Sequence, residues 1–318
     1  MSNEQEPQVN WKFYDELARE IIEEDKKSGG FDKPIPTNFP LIDELLGGGF
    51  KKGELAVLAA PTKQGKSTLA QTITWNMSKN GAKSLWFTME MSWKELTRKF
   101  MAMDETLKES KFPSYAPIHY PIENYYKGGD LQMKWLKETI SEAQRIESTD
   151  FVVIDHLHFL LPLKDYQTNT SFLIGGIVRE IKKMAVELQI PIMLICHTTK
   201  LDVEKTPTIN DIRDSSFISQ ESDFAMIMWR IRDKEASNKT SDDPDGDTQT
   251  VYSNKAWLSL EANRRTGRTG RVKLWHDGSK FIPYSDAPPE AIEEDNLKRF
   301  TQSTKKLLAT NKPKVIRY

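Results

Sequence analysis

Cysteine is all but missing from this 318-residue sequence: Cys196 stands alone, so no internal disulfide can form. A reducing, cytoplasmic setting is the expectation that follows. The opening MSNEQEPQVN lacks the basic and then apolar run of a secretory signal. Long apolar stretches are missing as well. The longest, Phe151–Leu163, is interrupted by Asp155, His156 and His158 and falls short of the roughly 20 residues that cross a bilayer, so no membrane partner is expected. Nor is there an excess of charge of one sign, since 45 Lys and Arg against 46 Asp and Glu leave −1. That excludes a basic-arm or acidic-tail protein but leaves room for a local basic groove. With 38% hydrophobic and 29% charged residues, the chain has the composition of a globular protein able to bury a core.

Three regions are expected. Residues 1–30 hold a polar start and then Trp11, Tyr14, Ala18, Ile21 and Ile22 at three- and four-residue steps, one amphipathic helix ending at Gly29-Gly30, packed on its own domain or on a neighbouring subunit. Residues 31–284 alternate short apolar runs with helical patterns. Leu55–Ala59, Ser84–Thr88, Phe151–Ile154, Ile192–Cys196 and Phe224–Trp229 read as buried strands, and Ser67–Lys79, Trp93–Met103, Asp130–Glu147 and Ser171–Gln189 as helices. Such alternation predicts an α/β fold with a mostly parallel central sheet flanked by helices. Strands around Trp257–Leu260 and Arg271–Trp275 follow, joined by the turn Asn263–Gly270. Residues 285–318 read as a flexible tail, acidic over Asp286–Asp295 and then basic, with seven Lys or Arg and no carboxylate over Leu297–Tyr318. The aspartates of Ser237–Thr250 do not make a calcium loop, because Gly246 is out of step with the EF-hand spacing.

Chemistry concentrates at the strand ends. Ala60-Pro61-Thr62-Lys63-Gln64-Gly65-Lys66-Ser67, followed by Thr68, sits between a predicted strand and a predicted helix and matches the phosphate-loop pattern except for Ala60 in place of the first Gly. Loop N–H groups and the helix N-terminus would face a β-phosphate, Lys66 would neutralise the β- and γ-oxygens, and the Ser67 hydroxyl would ligate Mg²⁺. ATP or another NTP with Mg²⁺ is therefore the expected cofactor pair. Asp155 closes the strand Phe151–Ile154 and suits a carboxylate that holds Mg²⁺ through water; helix capping would account for it without chemistry. Glu90, just past Ser84–Thr88, is assigned as the base that polarises water, against the plain alternative of a helix N-terminal charge. His197, ending Ile192–Cys196, could report on a γ-phosphate; alone, a strand-end histidine is more often structural, and only the neighbouring motifs favour the functional reading.

These four strand ends, with LIDELLGGGFKKGELAVLAAPTKQGKS, FTMEMS, FVVIDHLHFLL, ICHTTK, DIRDSSFISQESDFAMIMWR and ANRRTGRTGRVKL, make the chain resemble the RecA-fold replicative DNA helicases, from about Thr37 to Pro283. Bacterial DnaB, the phage primase-helicases and mitochondrial Twinkle form that group, and the pairs Asp155-His156 and Cys196-His197 are closer to its phage and mitochondrial branch. The resemblance implies a RecA-like P-loop NTPase that works as a ring, usually a hexamer, hydrolysing NTP at subunit interfaces and moving 5′→3′ along single-stranded DNA. It implies catalytic roles for Lys66, Glu90, Asp155 and His197, and a nucleotide-coupling role for Gln220. The loop Lys200–Arg213 would line the channel, and an arginine finger falls on Arg264 by one alignment or Arg265 by another. No zinc-ribbon cysteines or primase segment are present, so a separate primase and other replisome proteins are the implied partners. Two other readings stay open: an ATPase like RadA or KaiC serving recombination or regulation, and a DNA-binding scaffold with vestigial hydrolysis.

Overall fold

A computed structural model describes residues 14–28, 33–103, 118–119, 129–161, 170–199, 205–212, 215–233 and 251–297. Trp11, the loop Ser237–Thr250, both ends of Lys200–Arg213 and the basic tail beyond residue 297 lie outside these.

The apolar runs become strands because neither face of the sheet meets water. β1 (Leu55–Ala60), β2 (Ser84–Thr88), β4 (Phe151–Asp155) and β5 (Ile192–His197) are almost wholly buried. Along β1, Ala56, Leu58 and Ala60 face one core while Leu55, Val57 and Ala59 face a second. Strand side chains alternate between faces, so two buried faces demand an unbroken apolar run rather than an apolar–polar pattern. The first core lies under α2 (Pro40–Leu46), α3 (Lys66–Lys79) and α4 (Trp93–Met103), where Trp86 meets Phe100 edge to face at 5.7 Å between centroids. The second lies under α5 (Gly129–Glu147), α6 (Thr170–Leu188) and α7 (Ser215–Glu221).

With β3 (Ile118–His119), β6 (Phe224–Arg232), β7 (Tyr252–Asn263), β8 (Gly270–His276) and β9 (Phe281–Pro283), the sheet has nine strands among the described residues, in the order β3-β2-β4-β5-β1-β6-β7-β8-β9. The first six run parallel, and β6 to β9 form an antiparallel meander. The expected mostly parallel sheet is present. β6 and β7 run longer than their apolar stretches because their outer halves, with Arg230, Arg232 and Lys255, are only half-buried.

One difference from expectation stands out. The boundary drawn at residue 284 falls inside the fold: residues 289–297 are helical and clamp onto the meander, with Lys255 and Lys273 both pairing with Asp295 and the Tyr284 hydroxyl donating to the Ala291 carbonyl at 2.8 Å. The acidic stretch is thus the counter-charge of lysines on β7 and β8, 22 to 40 residues away in sequence. Of the two placements expected for α1 (Tyr14–Ser28), on its own domain or on a neighbouring subunit, the second is favoured, since Tyr14, Leu17, Ile21 and Ile22 are left exposed among the described residues.

Candidate nucleotide site

Register, more than sequence proximity, builds the site. Ala60 of β1 pairs with His197 of β5, and Thr88 of β2 pairs with Asp155 of β4. The Met89 N–H then donates to the Asp155 carbonyl at 2.8 Å and the Thr88 hydroxyl to the Met91 carbonyl at 2.7 Å, turning Glu90 back over the strand ends. All of this lies at the carboxyl edge of the parallel strands, where open α/β sheets bind ligands.

Between β1 and α3, Pro61, Thr62, Lys63 and Gln64 form a tight loop with Lys63 at φ 62° and Gly65 at φ 95°. Gly65 is required twice over. A side chain there would be strained by the backbone, and its Cβ would lie 3.0 Å from the Phe281 ring of β9. Gln64 is buried and its Oε1 accepts the Arg230 N–H at 2.9 Å, tying the loop to β6. α3 begins with no side-chain cap and no acidic residue in its first turn. Its first N–H groups are left for an anion, as a phosphate loop requires. Thr68 continues that turn, its carbonyl accepting the Thr72 hydroxyl at 2.8 Å.

Lys66 is 7% exposed and its Nζ lies 3.6 Å from Glu90 Oε2. The Ser67 hydroxyl donates to Asp155 Oδ2 at 2.8 Å. Asp155 is fully buried, and its Oδ1 has no hydrogen-bond partner among the described residues. Burial pushes that carboxyl above the usual range, with Ser67 and Lys66 pulling the other way. A hydroxyl touching a buried carboxylate that still has an acceptor to spare is a donor set that fits Mg²⁺, a hard cation satisfied by oxygen.

Three nitrogens converge on one oxygen, Glu90 Oε2: Lys66 Nζ, His156 Nδ1 at 3.4 Å and His197 Nε2 at 4.0 Å. The His156 and His197 rings meet edge to face at 4.5 Å, with His158 5.5 Å from His156. Burial first, then His197, His158 and Lys66, depress His156 to about 3, so it is neutral at physiological pH. Sequence reasoning gave His156 and His158 no role, yet both stand beside the site. The available signal was Asp155-His156-Leu157-His158, a pattern that puts both rings just past the end of β4.

Lys66, Ser67, Glu90, Asp155 and His197 are thus brought together. Gln220, Arg264 and Arg265 are not. Gln220 is exposed on α7, just before β6 begins, and the Arg264 N–H donates to the Asp223 carbonyl at the same edge, where Asp223 in turn bonds to Leu55. That edge is the amino end of β1, five residues and about 17 Å from Ala60 at ~3.3 Å per residue. Arg264 is exposed. Arg265 is committed inside its own chain: it donates to Glu54 Oε1 at 2.9 Å, to the Gly49 carbonyl at 2.7 Å and to the Leu46 carbonyl, and it stacks over Phe224 at 5.2 Å. Of the two finger candidates, only Arg264 is exposed.

A parallel sheet carrying a phosphate loop, an oxygen pair for Mg²⁺ and a carboxylate poised beside them defines a P-loop nucleotide-binding domain of the RecA-like kind. The pattern of the DnaB-like helicase C terminal domain matches residues 34–118 and 124–282, and the chain belongs to that family. The replicative DNA helicase DnaB of Mycoplasma pneumoniae is 25% identical over 293 residues, covering 82% of this chain and 59% of that protein. The replicative DNA helicase DnaC of Bacillus subtilis is 23% identical over 225 residues, 64% of this chain and 49% of that protein. The chain therefore spans about half to three fifths of the length of these relatives. Among solved structures, the ATPase domain of G40P superposes with a TM-score of 0.65 at 20% identity, covering 86% of this chain and 99% of that one. A DnaB-like replicative helicase, described with its interactions with primase, superposes at 0.62 and 20% identity, covering 86% and 67%. Among the described residues, no helix is long and apolar enough to cross a membrane.

Proposed function

We propose that this chain is the motor of a ring-shaped replicative DNA helicase. It assembles as a homo-oligomer, with a hexamer the expected size, and moves 5′→3′ on single-stranded DNA in the cytoplasm, with priming supplied by a separate primase. NTP, with ATP the first candidate, is hydrolysed at subunit interfaces. One observation carries the reading: the phosphate loop, Asp155 and Glu90 share the carboxyl edge of the sheet, while the exposed Arg264 stands at the amino edge, too far to serve its own nucleotide. An arginine there helps only a neighbour's γ-phosphate, which ties turnover to assembly. The uncovered apolar stripe of α1 supports assembly too, since a helix of that length is marginal in water until its apolar face is buried.

In this reading Ser67 would hold Mg²⁺ directly and Asp155 would hold it through water, and the ion would supply neutralisation of the phosphate charge. Lys66 leaves Glu90 for the phosphates. Glu90 then takes a proton from water as the water oxygen bonds to the γ-phosphorus and the bond to the β–γ bridging oxygen breaks. His197 donates to the γ-phosphate, and Arg264 of the next subunit stabilises the charge that develops. The test is a forked duplex with a 5′ single-stranded arm. Unwinding and single-strand-stimulated hydrolysis are expected from the parent, with both lost in Glu90→Gln while nucleotide binding persists. A Glu90→Gln protein that still turns over would sink the assignment of the base.

A further inference from the structure

Glu90 cannot act as a base unless something holds it while leaving an oxygen for water, and the three groups around Oε2 are not equivalent in that respect. Lys66 belongs to the phosphate loop and is drawn to a triphosphate more strongly than to one carboxylate. His197 lies at the rim, and in the proposed reading it too turns to phosphate. His156 is different: it is 8% exposed, its ring is flanked by His197 and His158, and its backbone continues from the end of β4, so it has nowhere to follow the nucleotide. Its Nδ1 is also the nearest of the three nitrogens, at 3.4 Å.

We propose that His156 is the positioning residue for Glu90, donating from Nδ1 to Oε2 once Lys66 has moved to the phosphates and so leaving Oε1 to receive the proton of the attacking water. The inference rests on Glu90 being the base. The same two imidazoles and carboxylate have ligand atoms within 4.8 Å of one another, a spacing that could also hold a transition-metal ion. The Lys66 ammonium 3.6 Å from the shared oxygen opposes a second cation there, which favours the imidazole as donor over the imidazole as ligand.

Steady-state hydrolysis with single-stranded DNA, and affinity for a nonhydrolysable nucleotide, are measured for His156→Ala, His156→Asn, Glu90→Gln and the His156→Ala/Glu90→Gln double variant. His156→Ala is expected to lower kcat on the order of 10- to 100-fold, the cost of a misplaced catalytic group, with KM and nucleotide affinity within about threefold of the parent. His156→Asn, whose amide N–H stands near the position of Nδ1, should recover a substantial part of kcat. The double variant should be no slower than Glu90→Gln alone, since a holder is worth nothing once the base is gone. A kcat within about twofold of the parent for His156→Ala, or equal loss of nucleotide affinity in His156→Ala and His156→Asn, overturns the inference. If His156→Ala does not fold, His156→Asn and Glu90→Gln/His156→Asn carry the same comparison. Turnover retained in Glu90→Gln refutes the base instead, and Co²⁺ absorption bands that appear with the parent but not with His156→Asn replace the positioning role with a metal site.

Discussion

Arg265→Met should destabilise the folded domain by about 3 kcal/mol, whereas Arg264→Ala one residue away should leave stability within about 0.5 kcal/mol. Methionine keeps an apolar stem over Phe224 and removes the guanidinium, so the loss is mainly polar. Three acceptors lose their donor: Glu54 Oε1 and the carbonyls of Gly49 and Leu46. The ion pair is largely out of water, with Arg265 18% and Glu54 12% exposed, and burial already pushes the Glu54 carboxyl above its usual range. Breaking a buried pair costs about 3–5 kcal/mol; the lower end applies because the Lys51 N–H still donates to Glu54 at 2.6 Å. At about 2 °C per kcal/mol for a domain of this size, melting should fall by about 6 °C. Thermal unfolding of nucleotide-free protein, followed by tryptophan fluorescence, reads it, since Trp86 and Trp75 are buried in the first core. Hydrolysis by the assembled protein is measured alongside, where Arg264→Ala should fall by about 10³-fold or more if it is the finger. An Arg265→Met protein that melts within about 1 °C of the parent yet loses hydrolysis as Arg264→Ala does would refute the division between an anchoring and a reaching arginine.

Two further outcomes follow from the site. Gly65→Ala should weaken nucleotide binding by about tenfold or more, because the left-handed backbone and the Phe281 ring at 3.0 Å both force the loop to shift; unchanged affinity by equilibrium titration would contradict that geometry. Asp155→Asn should abolish Mg²⁺-dependent turnover and at the same time stabilise the nucleotide-free domain at neutral pH. The sign follows from burial, which raises the folded-state pKa of Asp155 above its unfolded value. Stability from that carboxyl is then fully present below the unfolded value and is lost as pH rises through the folded one. Stability curves for parent and Asp155→Asn should converge at acid pH and separate towards neutrality, and parallel curves would contradict it.

The strands and the phosphate loop were legible because their signals are local. A run such as Leu55–Ala60 has one physical meaning when both sheet faces are covered, and Gly65-Lys66-Ser67 between a strand and a helix needs only its neighbours to be read. Asp155, Glu90 and His197 were legible for a related reason: residues at the carboxyl ends of parallel strands arrive at one edge whatever the strand order. His156 and His158 were visible in the sequence but drew no site role, because a histidine carries no periodicity and nothing local says which rings will meet. The helix over 289–297 read as tail because its apolar content is low, and its anchor is charge: Asp295 is held by Lys255 and Lys273, whose positions on adjacent strands are set by the meander register.

Sequence alone determined the α/β alternation, the buried sheet and the place of the loop with the phosphate-loop pattern, since each depends on contacts between near neighbours. Tertiary structure decided which arginine is committed and which is available. Arg264 and Arg265 are adjacent and chemically identical, and only the fold puts Glu54, Leu46 and Gly49 around the second while leaving the first in water. It also separated Arg264 and Gln220 from the phosphate loop by the length of β1. Which end of a strand a residue occupies depends on the direction of its partners, and that is a property of the assembled sheet.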